Sequence, residues 1–250
     1  MRKWAQQLVH ARLNQTVVAH KESFTALQGY EIQNEICNLM HDQGYSIAAY
    51  KIGATNESSQ ARLHLEEPFF APVFDINVGT LPDKSIRSDG WKGVEGEFGF
   101  ILGKDIPVGE RYTMSDAIEC VGATVPVMEL TQSRIQGGGS EQGLVIADGG
   151  NNGCLLVVPT NVKKDCRECD TIKVHTYINH ILKASGSGKQ VLNHPLNALL
   201  WFMNQKHRKT LKKGQLVSTG AANGAVTPID NQHISITWEN WTSSHLNLLN

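Results

Sequence analysis

Apolar positions along the first forty residues recur at helical spacing. Trp4 and Leu8, then Val9 and Leu13, fall four apart, and Ile32, Ile36, Leu39 and Met40 follow the i, i+4, i+7, i+8 spacing of a buried stripe. Gly44 then stands where a helix C-terminus favours glycine. The spacing predicts a helical arm over residues 1–44, after which period two takes over in a β-rich body of residues 45–250. Residues 45–52 read as a strand that delivers Lys51 into a turn at Gly53, Ala54 and Thr55. Residues 65–72 read as a proline-punctuated loop, 73–78, 94–102 and 125–130 as strands, and 115–120 as a short helix with Ser115 as its N-cap. From Arg134 to Asp148 the apolar period is lost; the run Gly137-Gly138-Gly139-Ser140 reads as a mobile loop, either a gate or a surface insertion. Strands follow at 154–158 and 172–178, the latter ending in a hairpin turn at Asn179-His180. Leu196, Leu199, Leu200 and Met203 then mark a helix opened by Pro195, and strands at 217–220 and 234–238 close the chain, giving an α+β fold class.

The strand at 94–102 carries two acids. Alternation puts Glu95 and Glu97 on one face and Phe98, Phe100 and Leu102 on the other. Two unpaired carboxylates about 4 Å apart repel by about 4 kcal/mol at an effective dielectric near 20. A proton, a basic side chain or a cation between them relieves that repulsion; the plain alternative is that both face water. The strand at 125–130 ends near a third acid, Glu129, and three glutamates on strands suggest a cage for Mg2+ or Mn2+.

Composition narrows the partners. Twenty-three basic and 24 acidic residues leave a net charge of −1, which removes the electrostatic case for nucleic acid or an anionic membrane. The apolar runs at 118–127 and 154–158 are too short or too interrupted to span a bilayer, and the polar first residues lack the apolar core of a signal peptide, so a cytoplasmic location is expected. Of five cysteines only Cys166 and Cys169 form a Cys-x-x-Cys pair, and with His175 as the nearest histidine they fall short of four zinc ligands. Their charged setting reads as surface thiols, with a redox pair or a partial metal site as the alternative.

Five segments, in this order and spacing, carry a family likeness over residues 1–240: Tyr50-Lys51-Ile52-Gly53-Ala54-Thr55; Glu67-Pro68 with Phe74-Asp75; Val94-Glu95-Gly96-Glu97; Pro126-Val127-Met128-Glu129 with Ser133-Arg134; and His194-Pro195-Leu196-Asn197-Ala198 through Trp201, continuing to Ser218-Thr219-Gly220. With them the chain resembles the fumarylacetoacetate hydrolase superfamily, and within it the branch of 2-hydroxypenta-2,4-dienoate hydratases and 4-oxalocrotonate decarboxylases. The resemblance implies a mixed β-roll with an N-terminal helical arm, assembled as a homo-oligomer or with a paralogous pathway enzyme. It implies Glu95, Glu97 and Glu129 as ligands of Mg2+ or Mn2+, and Lys51 and Asp75 as catalytic groups, with burial next to the cation lowering the lysine pKa. Gly53, Thr55, Arg134, Asn151 and Thr219 are implied as the binding surface for a small 2-oxo or 2-hydroxy acid.

The chain departs from that pattern inside the implied site. Asp75 directly follows Phe74, where relatives place the acid two residues on, and a one-residue shift in a strand changes face. Asn151 stands where a serine is usual, and Leu144 with the glycine run replaces an aromatic and an acid. The leading expectation is a metal-dependent lyase hydrating a short 2-hydroxydienoate. A 4-oxalocrotonate-type decarboxylase, an acylpyruvate C–C hydrolase with His64 as base, and a non-catalytic partner subunit are the alternatives.

Overall fold

The structure, a computed structural model, describes residues 1–19, 22–81, 86–87, 91–138, 141–228 and 232–249. The arm is two helices, α1 (Arg2–Asn14) and α2 (Ala26–Asp42), and α2 opens with a capping box in which Thr25 and Gln28 satisfy each other's backbone N–H groups. Trp4, Leu8, Ile32, Ile36 and Met40 are all buried, so the apolar stripe does face inward. Next come β1 (Ile47–Gly53), α3 (Glu57–Leu63), β2 (Phe69–Phe74), β3 (Val78–Thr80), β4 (Ile86–Arg87) and β5 (Gly93–Leu102). The chain continues through α4 (Met114–Cys120), β6 (Val121–Thr131), α5 (Gln142–Ala147), β7 (Asn152–Val157), β8 (Lys173–Ile178) and β9 (Ile181–Ser187). It ends with α6 (Pro195–Met203), β10 (Leu216–Ala221), β11 (His233–Trp238) and β12 (Thr242–Leu249).

Two mixed sheets form the body. The larger has seven strands in the order β2-β1-β10-β5-β6-β7-β3, and the smaller has five, β4-β12-β11-β8-β9. The main core lies between them, where Phe98, Phe100 and Met128 of the first sheet meet Val174, Ile234, Ile236 and Trp238 of the second. Each large side chain removed from water there contributes about 1.5–3 kcal/mol. A second cluster joins the arm to the body through Phe74, Ile135, Leu144 and Ala147. Gln33 of α2 strengthens that joint by donating to the carbonyls of Phe70 and Ile146. No helix among the described residues is long and apolar enough to cross a membrane.

Several local expectations differ from the structure. The loop expected over 65–72 ends at Pro68, because Phe69–Phe74 pairs antiparallel with β1 and is buried throughout. The strand expected over 73–78 is interrupted by a 3-10 turn at Asp75–Asn77. The cap of α4 is Thr113, not Ser115, since Asp116 and not a later residue closes the capping box. The stretch without apolar period contains α5, a helix buried on all sides and so lacking a polar face to mark it. Gly139 and Ser140 lie outside the described residues. Cys166 and Cys169 are buried, not surface thiols, and burial pushes the Cys169 thiol well above its usual range.

Candidate metal centre and its cavity

Strand β5 sits at the middle of the larger sheet with β10 on one side and β6 on the other. Its register with β6 puts Glu95 directly opposite Glu129. Directly opposite residues project from the same face of a sheet, and Glu97, two residues on, joins them. The other face carries Val94, Phe98 and Phe100 into the main core. Gly96 on that face has no room for a side chain: a Cβ there would stand 2.6 Å from Val174 and 2.9 Å from Ile236. The glycine between the two glutamates therefore lets the second sheet close against the back of the acid-bearing strand.

Oxygens of Glu95, Glu97 and Glu129 lie within 4.8 Å of one another, the only such trio of potential ligands among the described residues. Glu97 and Glu129 are fully buried, and Glu95 is half-buried. Glu97 Oε2 accepts from Ser218 Oγ (2.5 Å) and from the Gly220 N–H (3.1 Å), while its Oε1 has no hydrogen-bond partner. A break in the β5–β10 register between Ser218 and Ala221, with Gly220 at φ +98°, aims that N–H inward. Glu129 Oε1 accepts from Lys51 Nζ (2.9 Å) and Asn152 Nδ2 (2.9 Å); Oε2 is in ionic contact with Nζ at 2.8 Å but accepts no hydrogen bond. On Glu97 the protein fixes one oxygen and leaves the other bare, and on Glu129 the second oxygen is met by the Lys51 charge without a hydrogen bond, an arrangement that is costly unless a cation completes it. Oxygen-only donors on this scale, about twice a 2.1–2.4 Å bond, fit a hard divalent ion such as Mg2+, Mn2+ or Ca2+.

A cavity of about 500 Å³ opens beside the cluster. Lys51, Gly53, Thr55, Glu95 and Asn151 line it, so the structure brings these expected residues together. The Asn151 backbone is left-handed, φ +56°, and its Oδ1 is buried without a partner. Phe69 packs over Gly53 and Gly150 as one wall, and the Gly150 carbonyl accepts from Lys51 Nζ at 3.1 Å.

Asp75, Arg134 and Thr219 do not join them. Asp75 is exposed at the start of the 3-10 turn, where its Oδ2 accepts from the Ser46 hydroxyl (2.7 Å) and N–H (3.1 Å); this holds its carboxyl below the usual range. Arg134 turns away to a buried ion pair with Asp148, 3.6 Å, which also receives the Arg134 N–H. Arg12 of α1 donates to the Asp148 carbonyl, so the arm is tied to the turn that precedes Asn151 and Asn152. Thr219 donates to the Phe98 carbonyl on the core side, because alternation along β10 gives the site face to Ser218 and Gly220. Ser218 and Asn152 are the functional contacts that sequence reasoning missed. Both had a visible signal: Ser218 lies within a matched segment, and Asn152 is the neighbour of an expected residue.

Electrostatics follow from crowding. Burial, then Glu129, push Glu95 up to about 7, with Lys51 and Arg62 opposing. Burial, Glu129 and Glu95 raise Glu97 well above the carboxylate range. Burial alone would lower Lys51, but Glu129, Glu95 and Glu97 outweigh it and raise its pKa. Without a cation, three neighbouring acids thus hold Lys51 as an ammonium.

Comparison with known proteins agrees with this architecture. The 2-keto-4-pentenoate hydratase 1 of Dechloromonas aromatica (strain RCB) is 29% identical over 185 residues, 72% of this chain and 69% of that protein. The 2-oxo-hept-4-ene-1,7-dioate hydratase of Escherichia coli is 25% identical over 207 residues, 79% of this chain and 77% of that protein. The solved 4-oxalocrotonate decarboxylase of Pseudomonas putida G7, complexed with magnesium and adipate, superposes with a TM-score of 0.87 at 20% identity, covering 99% of this chain and 97% of that one; it shares the fold. The profile of the fumarylacetoacetate (FAA) hydrolase C-terminal family matches residues 55–242, and the chain belongs to the fumarylacetoacetate hydrolase family.

Proposed function

We propose that this chain is a divalent-metal-dependent hydro-lyase that adds water to a short 2-hydroxydienoate or 2-oxoenoate, 2-hydroxypenta-2,4-dienoate being the simplest. The observation that carries it is the pairing of two buried carboxylates, one with a bare oxygen and one in ionic contact with Lys51, with a cavity of about 500 Å³. The hydratase names of the relatives and the magnesium and calcium complexes of the solved neighbours support the same reading, with Mg2+ or Mn2+ as the cation. Homo-oligomeric assembly belongs to the same proposal.

Glu95, Glu97 and Glu129 would hold the cation. When bound, the cation would supply Lewis-acid polarisation of a 2-oxo acid and would offset the negative charge that develops on it. The protein supplies the rest. Ser218, Gly220 and Asn152 fix the carboxylates, so their geometry does not have to form on binding. Lys51 offers a charged donor to the substrate's acid end and a proton to its carbon chain. Asn151 would bring an amide to the substrate side of the cavity. The Phe69 wall excludes bulk solvent. His64, the base an acylpyruvate hydrolase would need, is exposed at the end of α3 and is not among the residues lining the cavity, which counts against that alternative.

The test is loss of dienoate ultraviolet absorbance by EDTA-treated protein with Mg2+ or Mn2+ restored. Metal-dependent loss is expected, and Lys51→Met should lower the rate by about 10²-fold or more. Cation binding without absorbance loss across a dienoate panel would indicate a non-catalytic partner subunit, and no cation binding would sink the proposal.

A further inference from the structure

Two arginines converge on Asp148, the residue that opens the turn at 148–152. Arg134 and Asp148 are buried; Asp148 Oδ2 accepts the Arg134 backbone N–H (2.8 Å), and Oδ1 makes ionic contact with the Arg134 guanidinium at 3.6 Å. Arg12 reaches in from α1, donates to the Asp148 carbonyl at 3.2 Å and holds its guanidinium 5.8 Å from the centre of the Phe74 ring. None of the three lines the cavity. Arg12 Nη1, Arg134 Nε and Asp148 Oδ1 are buried without a hydrogen-bond partner among the described residues. Such a cluster is a poor way to fasten a helical arm, which Trp4, Leu8, Ile32, Ile36 and Met40 already dock by apolar burial.

What the cluster holds is the backbone of the turn. Gly149, Gly150 and Asn151 are left-handed in succession, at φ +75°, +66° and +56°. Glycine enters this region freely and asparagine at some cost, and a strained run persists only where its surroundings fix it. The Gly149 and Gly150 N–H groups tie the turn to α5 through the carbonyls of Ile146 (3.0 Å) and Val145 (2.8 Å). Arg12 Nη2 lies against Gly149, where a Cβ would stand 3.0 Å away. On the other side Arg134 Nη1 donates to the Gln132 carbonyl (3.2 Å), and the Gln132 N–H donates to the Asn151 carbonyl (2.7 Å), so residues 132–134 and the turn close on each other. Two groups of this turn then reach the centre: the Gly150 carbonyl accepts from Lys51, and Asn152 Nδ2 donates to Glu129. The structure assigns Arg12 as a positioning residue that, with Arg134 and Asp148, sets the left-handed turn so that the Gly150 carbonyl and the Asn152 amide meet Lys51 and Glu129. The helical arm thereby helps to build the metal centre without touching it. This rests on the metal-centre reading above. The competing role for Arg12 is to dock the arm and nothing more.

Calorimetric titration of the metal-free protein with Mg2+, together with amide hydrogen exchange over residues 148–152, tests it. Arg12→Met should weaken Mg2+ binding about fivefold, below the loss expected for a group that touches a ligand directly, and should speed exchange in the turn by a similar factor. Arg12→Lys keeps a charged donor for the Asp148 carbonyl and should return both readings to within about twofold of wild type. Because Arg12 acts through the turn, adding Arg12→Met to Asn152→Ala should weaken binding by no more than about twofold beyond Asn152→Ala alone. Ile36→Ala loosens the arm's apolar packing and should lower Tm with Mg2+ affinity unchanged. Should Arg12→Met not fold, Arg12→Gln, shorter and uncharged, takes its place with the same expectations. Equal weakening by Ile36→Ala, or full additivity in the double variant, assigns Arg12 to arm docking and overturns the inference. Faster exchange with unchanged Mg2+ affinity separates the turn from the centre and also overturns it. In each of these outcomes the wild type binds Mg2+ and the metal-centre reading stands; if the wild type binds none, both fall.

Discussion

Replacing Glu97 with Gln separates the two things the acid cluster does. The side chain is fully buried, and its oxygens lie within 4.8 Å of those of Glu95 and Glu129. At an effective dielectric near 20, a charge pair at that separation repels by about 3.5 kcal/mol. Taking up a proton is the cheaper escape. For a group of ordinary pKa 4.5 at pH 7, that costs 2.5 pH units at 1.36 kcal/mol each, about 3.4 kcal/mol. Glutamine keeps an oxygen for Ser218 and Gly220 and turns an amide donor toward the bare acids. It also gives up attraction to Lys51, so the net gain expected for the cation-free protein is about 2 kcal/mol, or roughly 4–8 °C in Tm for a chain of this size.

Thermal unfolding of EDTA-treated protein, with and without Mg2+, reads both effects. Glu97→Gln should be the more stable protein without cation and should lose most of the Mg2+-induced rise. The pH dependence has a definite sign. Glu95 titrates at about 7 in the folded protein against 4.5 unfolded, so between those values the folded state binds more protons. Stability of the cation-free protein should therefore be greatest near the lower value and fall as pH rises through about 7, more shallowly in the variant. A variant that is less stable without cation at pH 7, yet keeps the full Mg2+ response, would refute the reasoning.

Asn152→Ala removes the amide that fixes Glu129 Oε1 without touching the cavity lining, and should weaken Mg2+ binding by about 10-fold or more in a competition titration. Asp75→Asn should leave dienoate turnover within about twofold of wild type, since the side chain is exposed and tied to Ser46 outside the cavity, and should cost no more than about 1 kcal/mol in urea unfolding.

What could be read in the sequence was local parity within an unbroken strand. Glu95, Gly96, Glu97 and Phe98 alternate with no irregularity in between, so placing the acids opposite the aromatics needed no knowledge of neighbours, and the helical arm was legible for the same reason. Parity fails wherever the backbone departs from its period. The resemblance implies Asp75 as a site group, while parity after Phe74 already moves it to the other face, and the 3-10 turn that begins there leaves it in solvent. Thr219 was favoured over Ser218 because the motif contains both, and only the shifted register with β5 shows which hydroxyl meets Glu97.

Charge depends on neighbours that spacing does not show. A buried lysine alone loses its proton more easily, but without a cation the pKa of Lys51 is set by how many acids share its enclosure. Glu129 comes from β6, 78 residues away in sequence, and the Gly150 carbonyl from 99 residues away. Partners at such separations are fixed by sheet order, which no spacing along the chain encodes. The same sheet order makes the acid cluster independent of the side chain at Asn151. Its carboxylates are held by Ser218, Gly220, Lys51 and Asn152, and none of these contacts runs through Asn151. The chain can therefore change the groups facing the cavity while the acid cluster stays in place.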